Sequence, residues 1–89
     1  MRRDARADAN QKRIVEALRA AGAAVEHLHM VGGGCADILV TFRRVHYLVE
    51  IKTEHGQLTD QQRFWHLRHA PVHVVCTPDE ALRVLGLTP

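Results

Sequence analysis

Between Ala5 and Ala21, apolar residues fall at Ile14, Val15, Leu18 and Ala21, three- and four-residue steps that gather them on one side of an α-helix. Gly22 follows, a residue type that closes helices because it accepts a left-handed backbone. The period then changes. Residues 24–30 read as a strand, interrupted by Gly32-Gly33-Gly34, the strongest break in the chain. Two β-rich runs come next, 36–42 and 45–52, with only Arg43-Arg44 between them, which predicts an antiparallel hairpin. A polar stretch, 53–58, leads to a helix from about Asp60 to His69, closed by Pro71. Residues 72–76 read as a buried strand, and Pro78-Asp79-Glu80 opens a last short helix ending near Leu85. The order α-β-β-β-α-β-α predicts an α/β fold, a mixed sheet flanked by helices, with residues 1–89 as one domain.

The hairpin makes a sharper statement. With a two-residue loop at Arg43-Arg44, residues whose numbers sum to 87 lie opposite each other: Leu39 with Leu48, Ile38 with Val49, Val40 with Tyr47, Phe42 with Val45. Both faces then match in character across the pair. The same register sets Asp37 opposite Glu50, and side-chain alternation puts Leu48, Glu50 and Lys52 on one face. Cβ atoms of directly opposed residues stand roughly 5 Å apart, so two carboxylates there repel unless a charge between them intervenes. A divalent cation supplies that charge. Mg²⁺ and Mn²⁺ take oxygen ligands, commonly one or two carboxylates completed by water and phosphate oxygens. The carbonyl of Ile51 offers one more oxygen, and Lys52 sets a cation beside the pair, suited to orienting a water or offsetting charge on a phosphate. The bland alternative is a pair of fraying strand ends with Lys52 in an exposed ion pair.

Composition narrows the setting more than the chemistry. Apolar residues make 46% of the chain and charged residues 25%, as in an ordinary globular protein. Twelve Lys and Arg against ten Asp and Glu leave a charge of only +2, but Arg2, Arg3, Arg6, Lys12 and Arg13 crowd the start, Arg43 and Arg44 adjoin, and Arg63 and Arg68 follow. Such local patches suit phosphates, although a solvated helix face explains them equally well. Cys35 and Cys76 make no disulfide framework and read as reduced thiols, Cys76 as a small buried hydrophobe. With no apolar signal core and no membrane-length apolar run, the expected setting is intracellular. Seven histidines raise a competing possibility, since His27 with His29 on a strand and His66 with His69 on a helix have spacings that permit a shared zinc.

Three segments in order carry a family resemblance: Gly34-Cys35-Ala36-Asp37, then Val49-Glu50-Ile51-Lys52-Thr53, then Gly56-Gln57-Leu58-Thr59-Asp60-Gln61-Gln62 with Trp65 beyond. They resemble the PD-(D/E)XK nuclease core, which has the restriction-endonuclease-like fold. More narrowly they resemble its VRR-NUC branch, the virus-type replication-repair nuclease domain found alone in phages or fused to larger repair nucleases. The resemblance runs from about Asn10 to Val75. It implies that Asp37 and Glu50 bind the metal, that Lys52 assists the attacking water, and that Gln62 is the helix glutamine facing the site. It departs at two places. Ala36 stands where the family has proline, and Gln11 aligns with an acid that many relatives carry on the first helix, with Glu16 too far along to replace it. Gln62 has a second reading, since Thr59 and Gln62 have the spacing of a helix capping box. Phe64 and Trp65 read as core or dimer-contact residues, with base stacking as the alternative.

The resemblance implies a Mg²⁺- or Mn²⁺-dependent endodeoxyribonuclease acting on branched DNA, most simply a homodimer resembling Holliday-junction resolvases. A non-catalytic DNA-binding or repair-scaffold module of the same fold, and a sequence-specific restriction-type enzyme, are the alternatives.

Overall fold

The computed structural model describes residues 5–87, so Arg2 and Arg3 of the basic cluster lie outside the described residues, as does the side chain of Arg6. Seven elements follow in the predicted order: α1 (Ala5–Ala20), β1 (Ala24–His27), β2 (Ile38–Phe42), β3 (Val45–Ile51), α2 (Asp60–Arg68), β4 (Val72–Val75) and α3 (Pro78–Val84). The strands form one sheet in the order β1-β2-β3-β4. The first three are antiparallel and β4 runs parallel to β3, so the sheet is mixed.

The hairpin has the expected register, from Ile38 opposite Val49 to Phe42 opposite Val45. Arg43 and Arg44 both take positive φ, 51° and 70°, which joins strands of native twist through two residues. The Arg43 guanidinium covers the Phe42 ring at 4.8 Å, anchoring the tip.

Burial in α1 falls on Asn10, Gln11, Ile14, Val15 and Leu18, a stripe that continues the apolar face through two polar residues. This stripe and α3, through Ala81 and Leu85, pack on the sheet face bearing Val25, Ile38, Val40, Phe42, Val49, Ile51 and Val75. The core therefore lies on one side of the sheet. Alternation sends Glu50 to the other side, under α2, which contributes no buried residue at all.

Two boundaries and the burial of one strand differ from expectation. Strand β1 stops at His27, not residue 30: the Leu28 amide still reaches the Asp37 carbonyl, but the Val31 amide folds back to Leu28 and the chain turns. His29 is thus off the strand. β2 begins at Ile38 because the glycine run, with φ of 74°, 65° and 87°, delays entry into the ladder. β4 is an edge strand, half exposed at Val74 (48%), where the apolar run suggested full burial. Cys76 is likewise only partly buried.

Candidate functional site

The site sits where β2 begins and β3 ends, neighbouring strand ends on one edge of the sheet. Asp37 enters β2 and turns its Oδ2 to accept the Ile51 amide proton at 2.7 Å. That bond locks the carboxyl to the end of β3, one residue from Glu50. Ile51 meanwhile sends its side chain into the core, so its backbone is fixed from both sides.

Glu50 is 1% exposed, a carboxyl placed under a helix with almost no water to solvate its charge. Burial, reinforced by the charge of Asp37 and a hydrogen bond between the two carboxyls, pushes the Glu50 carboxyl up to about 8, while Lys52 opposes that rise. At neutral pH Glu50 therefore keeps its proton. Lys52 places Nζ 3.7 Å from Glu50 Oε2 and donates to Gln62 Oε1 at 2.9 Å. The exposed-ion-pair alternative fails on burial, since the Lys52 and Glu50 side chains are only 19% and 2% exposed.

Gln62 fills both roles that its position allowed. Its backbone N–H donates to Thr59 Oγ1 at 3.1 Å and its side-chain Oε1 accepts from the Thr59 backbone N–H at 2.9 Å, which completes the capping box of α2. The same Oε1 accepts from Lys52, and Nε2 lies 3.4 Å from Glu50 Oε2. One side chain thus ties the helix start to the carboxyl and the ammonium. Gly34 makes this possible: a Cβ there would stand 2.5 Å from the Gln61 carbonyl oxygen, so only glycine lets the loop pass this close under α2.

The structure brings together Asp37, Glu50, Lys52 and Gln62, with the Ile51 backbone between them. It adds His66, whose Nε2 lies 3.6 Å from Glu50 Oε1. Burial and the Lys52 charge, against Asp37, hold this imidazole below its ordinary value. The available signal was spacing: Gln62 and His66 are four apart on a helix and share a face. Asn10 went unnoticed for lack of any motif. Its buried amide donates to the Lys52 and Cys76 carbonyls at 3.2 and 3.0 Å, pinning the ends of β3 and β4 together.

Other candidates lie elsewhere. Gln11 is buried on α1 with Nε2 3.3 Å from His27 Nδ1, while Glu16 is exposed and pairs with Lys12 at 4.0 Å. His69 stacks on Trp65 with ring centroids 3.9 Å apart, away from His66's partner, so the two histidines share no centre. Among the described residues no three His, Cys, Asp or Glu side chains converge as a metal-holding group. Phe64 is 67% exposed and Trp65 half-buried, so neither is a core residue as the sequence allowed. No helix among the described residues is long and apolar enough to cross a membrane.

No protein-family model matches the chain, and no curated protein matches it closely. Its fold is similar to a solved structure described as a VRR_NUC domain, with a TM-score of 0.75 and 27% identity, covering 93% of this chain and 97% of that one. Agreement over nearly the whole of both chains, on the element order read from the sequence, gives this chain the fold of a VRR_NUC domain and supports reading it as one.

Proposed function

We propose that this VRR-NUC domain is a Mg²⁺- or Mn²⁺-dependent endodeoxyribonuclease that cuts branched DNA, four-way junctions above all, as a stand-alone, phage-type homodimer inside the cell. The observation that carries the proposal is the buried Asp37–Glu50 pair with Lys52 held beside it.

The residues fit a hard divalent cation. Two oxygen-donor carboxyls are packed so tightly that one retains its proton to about pH 8, and Glu50 Oε1 is buried with no hydrogen-bond partner among the described residues. Asp37, Glu50 and the Ile51 carbonyl would hold the ion. When bound, it supplies positive charge to a phosphodiester oxygen and eases proton loss from a water.

The chain's own groups do the rest. Water adds to phosphorus as the opposite P–O bond breaks, and negative charge grows on the phosphoryl oxygens. Lys52, fixed by Gln62 and Glu50, orients the water and offsets that charge from a half-buried position, where a cation acts more strongly than in bulk solvent. Asp37, anchored by the Ile51 amide, keeps its carboxyl in place throughout.

Two copies supply what one cannot. Phe64 and Leu67 on α2, Met30 and Val31 in the glycine loop, and Val74 on the edge strand are large apolar side chains left exposed. They support a homodimer, and a two-fold axis relates two cutting centres as a junction relates two strands. The deciding experiment is a cleavage screen over duplex, flap, splayed-arm and four-way substrates with Mg²⁺ and Mn²⁺. Metal-dependent nicking of junctions, lost in Asp37→Ala and Lys52→Ala with binding retained, is expected. Junction binding without cleavage in either metal would identify a non-catalytic scaffold, and discrete cuts in linear duplex a restriction-type enzyme.

A further inference from the structure

We propose that His66 is a positioning residue for Glu50, its imidazole holding Oε1 of the carboxyl and so fixing the shape that Glu50 and Asp37 present to a divalent cation. The inference rests on the metal-site reading above.

Helix α2 is unusual in which side it turns inward. Its apolar residues Phe64 and Leu67 face solvent, 67% and 77% exposed, while Gln62, Trp65 and His66 are the partly covered positions. Gln62 and His66 lie one turn apart on the same face. They meet different oxygens of the same carboxyl: Gln62 Nε2 stands 3.4 Å from Oε2, and His66 Nε2 stands 3.6 Å from Oε1. Glu50 is thus flanked at both oxygens by nitrogen groups from one helix.

The His66 side is the unfinished half of that arrangement. Neither His66 Nε2 nor Glu50 Oε1 has a hydrogen-bond partner among the described residues, and their side chains are only 12% and 2% exposed, so bulk solvent has little access to either. Two buried polar atoms without partners, facing each other just beyond bonding distance, are a matched donor and acceptor when Nε2 carries its proton. A small ring adjustment closes the bond. The capping box and the close backbone approach at Gly34 hold α2 where that adjustment suffices. Carboxylates that bind cations depend on such outer partners, whose loss typically weakens metal binding by about 10–100-fold.

The test titrates Mn²⁺ alone into the wild type, His66→Gln, His66→Leu and His66→Asn, by calorimetry and by pulsed electron paramagnetic resonance of the bound ion. Glutamine extends an N–H donor to about the reach of Nε2; leucine has none, and asparagine is too short. The wild type and His66→Gln are expected to bind within about threefold of each other, and His66→Leu about tenfold or more weaker, with no imidazole-nitrogen coupling in the wild-type spectrum. Should His66→Leu fail to fold, His66→Asn takes its place with the same expected loss. Wild-type affinity in the folded Leu or Asn variant overturns the proposal, as does equal weakening in His66→Gln. Nitrogen coupling in the wild type also overturns it, by making the imidazole itself a ligand. A wild type that binds Mn²⁺ no better than Asp37→Ala overturns the metal reading on which the proposal stands.

Discussion

Glu50 is the residue whose chemistry most directly sets observable behaviour. Its folded value of about 8 stands above the ordinary 4.5, so between those two pH values the folded state holds a proton that the unfolded state has released. Stability of the metal-free protein is therefore highest below about pH 4.5 as far as this group decides, and falls as pH rises to about 8. The slope is at most about 1.4 kcal/mol per pH unit for one proton. Denaturant unfolding in chelator across this range is expected to show the fall, and Glu50→Gln, which has no proton to lose, to flatten it. Added Mg²⁺ or Mn²⁺ binds the ionised pair, so its rise in melting temperature is expected to be larger at pH 8 than at pH 5. A cation effect independent of pH would break the link between this carboxyl and the metal.

Gln62 permits a separation of roles at the same scale. Gln62→Ala is expected to cost about 1 kcal/mol of stability through the lost capping bond and also to depress cleavage. Gln62→Glu preserves the capping-box side chain, since glutamate serves there as well, but adds a charge beside Glu50. Unfolding midpoints and single-turnover rates on one junction substrate check this: the Glu variant should recover stability without recovering rate. Recovery of both would leave Gln62 a cap and nothing more.

Among the elements, the approach of the glycine loop to α2 decides the geometry of the site. Gly34→Ala meets two costs, a left-handed φ of +87° and a Cβ driven to 2.5 Å from the Gln61 carbonyl. Gly33→Ala meets only the first, since nothing lies within 4 Å of its Cβ. Gly33→Ala is expected to lose about 1 kcal/mol, and Gly34→Ala to lose more and to cut cleavage sharply as α2 is pushed off Glu50. Equal effects in the two variants would mean that the contact does not position the helix.

This scale also shows what the sequence disclosed. The hairpin register was legible because alternation is strict on both strands and a two-residue loop leaves one solution, so Asp37 and Glu50 pair on register alone. Gln62 was legible as cap or site residue, but not as both, because one oxygen accepts from a backbone amide and a lysine whose meeting depends on the β3–α2 distance. His66 was masked by its more familiar association with other histidines. Asn10, and the burial of Gln11, were hidden because polarity marks such residues as surface, whereas α1 presses both against the sheet. The sheet's one-sided core was illegible for a similar reason: Leu39 and Leu48 make the other face of the hairpin apolar too, although α2 covers that face only in part.

At the scale of the whole molecule, size limits what one copy can do. The folded chain measures 31 × 28 × 21 Å, about one helical turn of DNA in its longest dimension, and its net charge is only +2. Affinity must then come from local contacts between phosphates and arginines, which release counterions and weaken steeply with salt. The dimer contacts proposed for the apolar side chains would follow a different rule, since burial of apolar surface is insensitive to moderate salt. The two assembly steps are thus separable. Sedimentation of the free protein is expected to show a dimer from 50 mM to about 300 mM salt, while four-way-junction binding falls by about ten-thousandfold over that span if six phosphates are engaged. A Leu67→Glu exchange sets a charge on the most exposed apolar position of α2, 77% open in the single chain, where it costs the monomer little and a dimer much. It is expected to give a folded monomer that nicks one strand of a junction without the paired second cut. A monomeric wild type at every salt concentration would refute the two-fold arrangement, leaving the exposed face of α2 for the DNA itself.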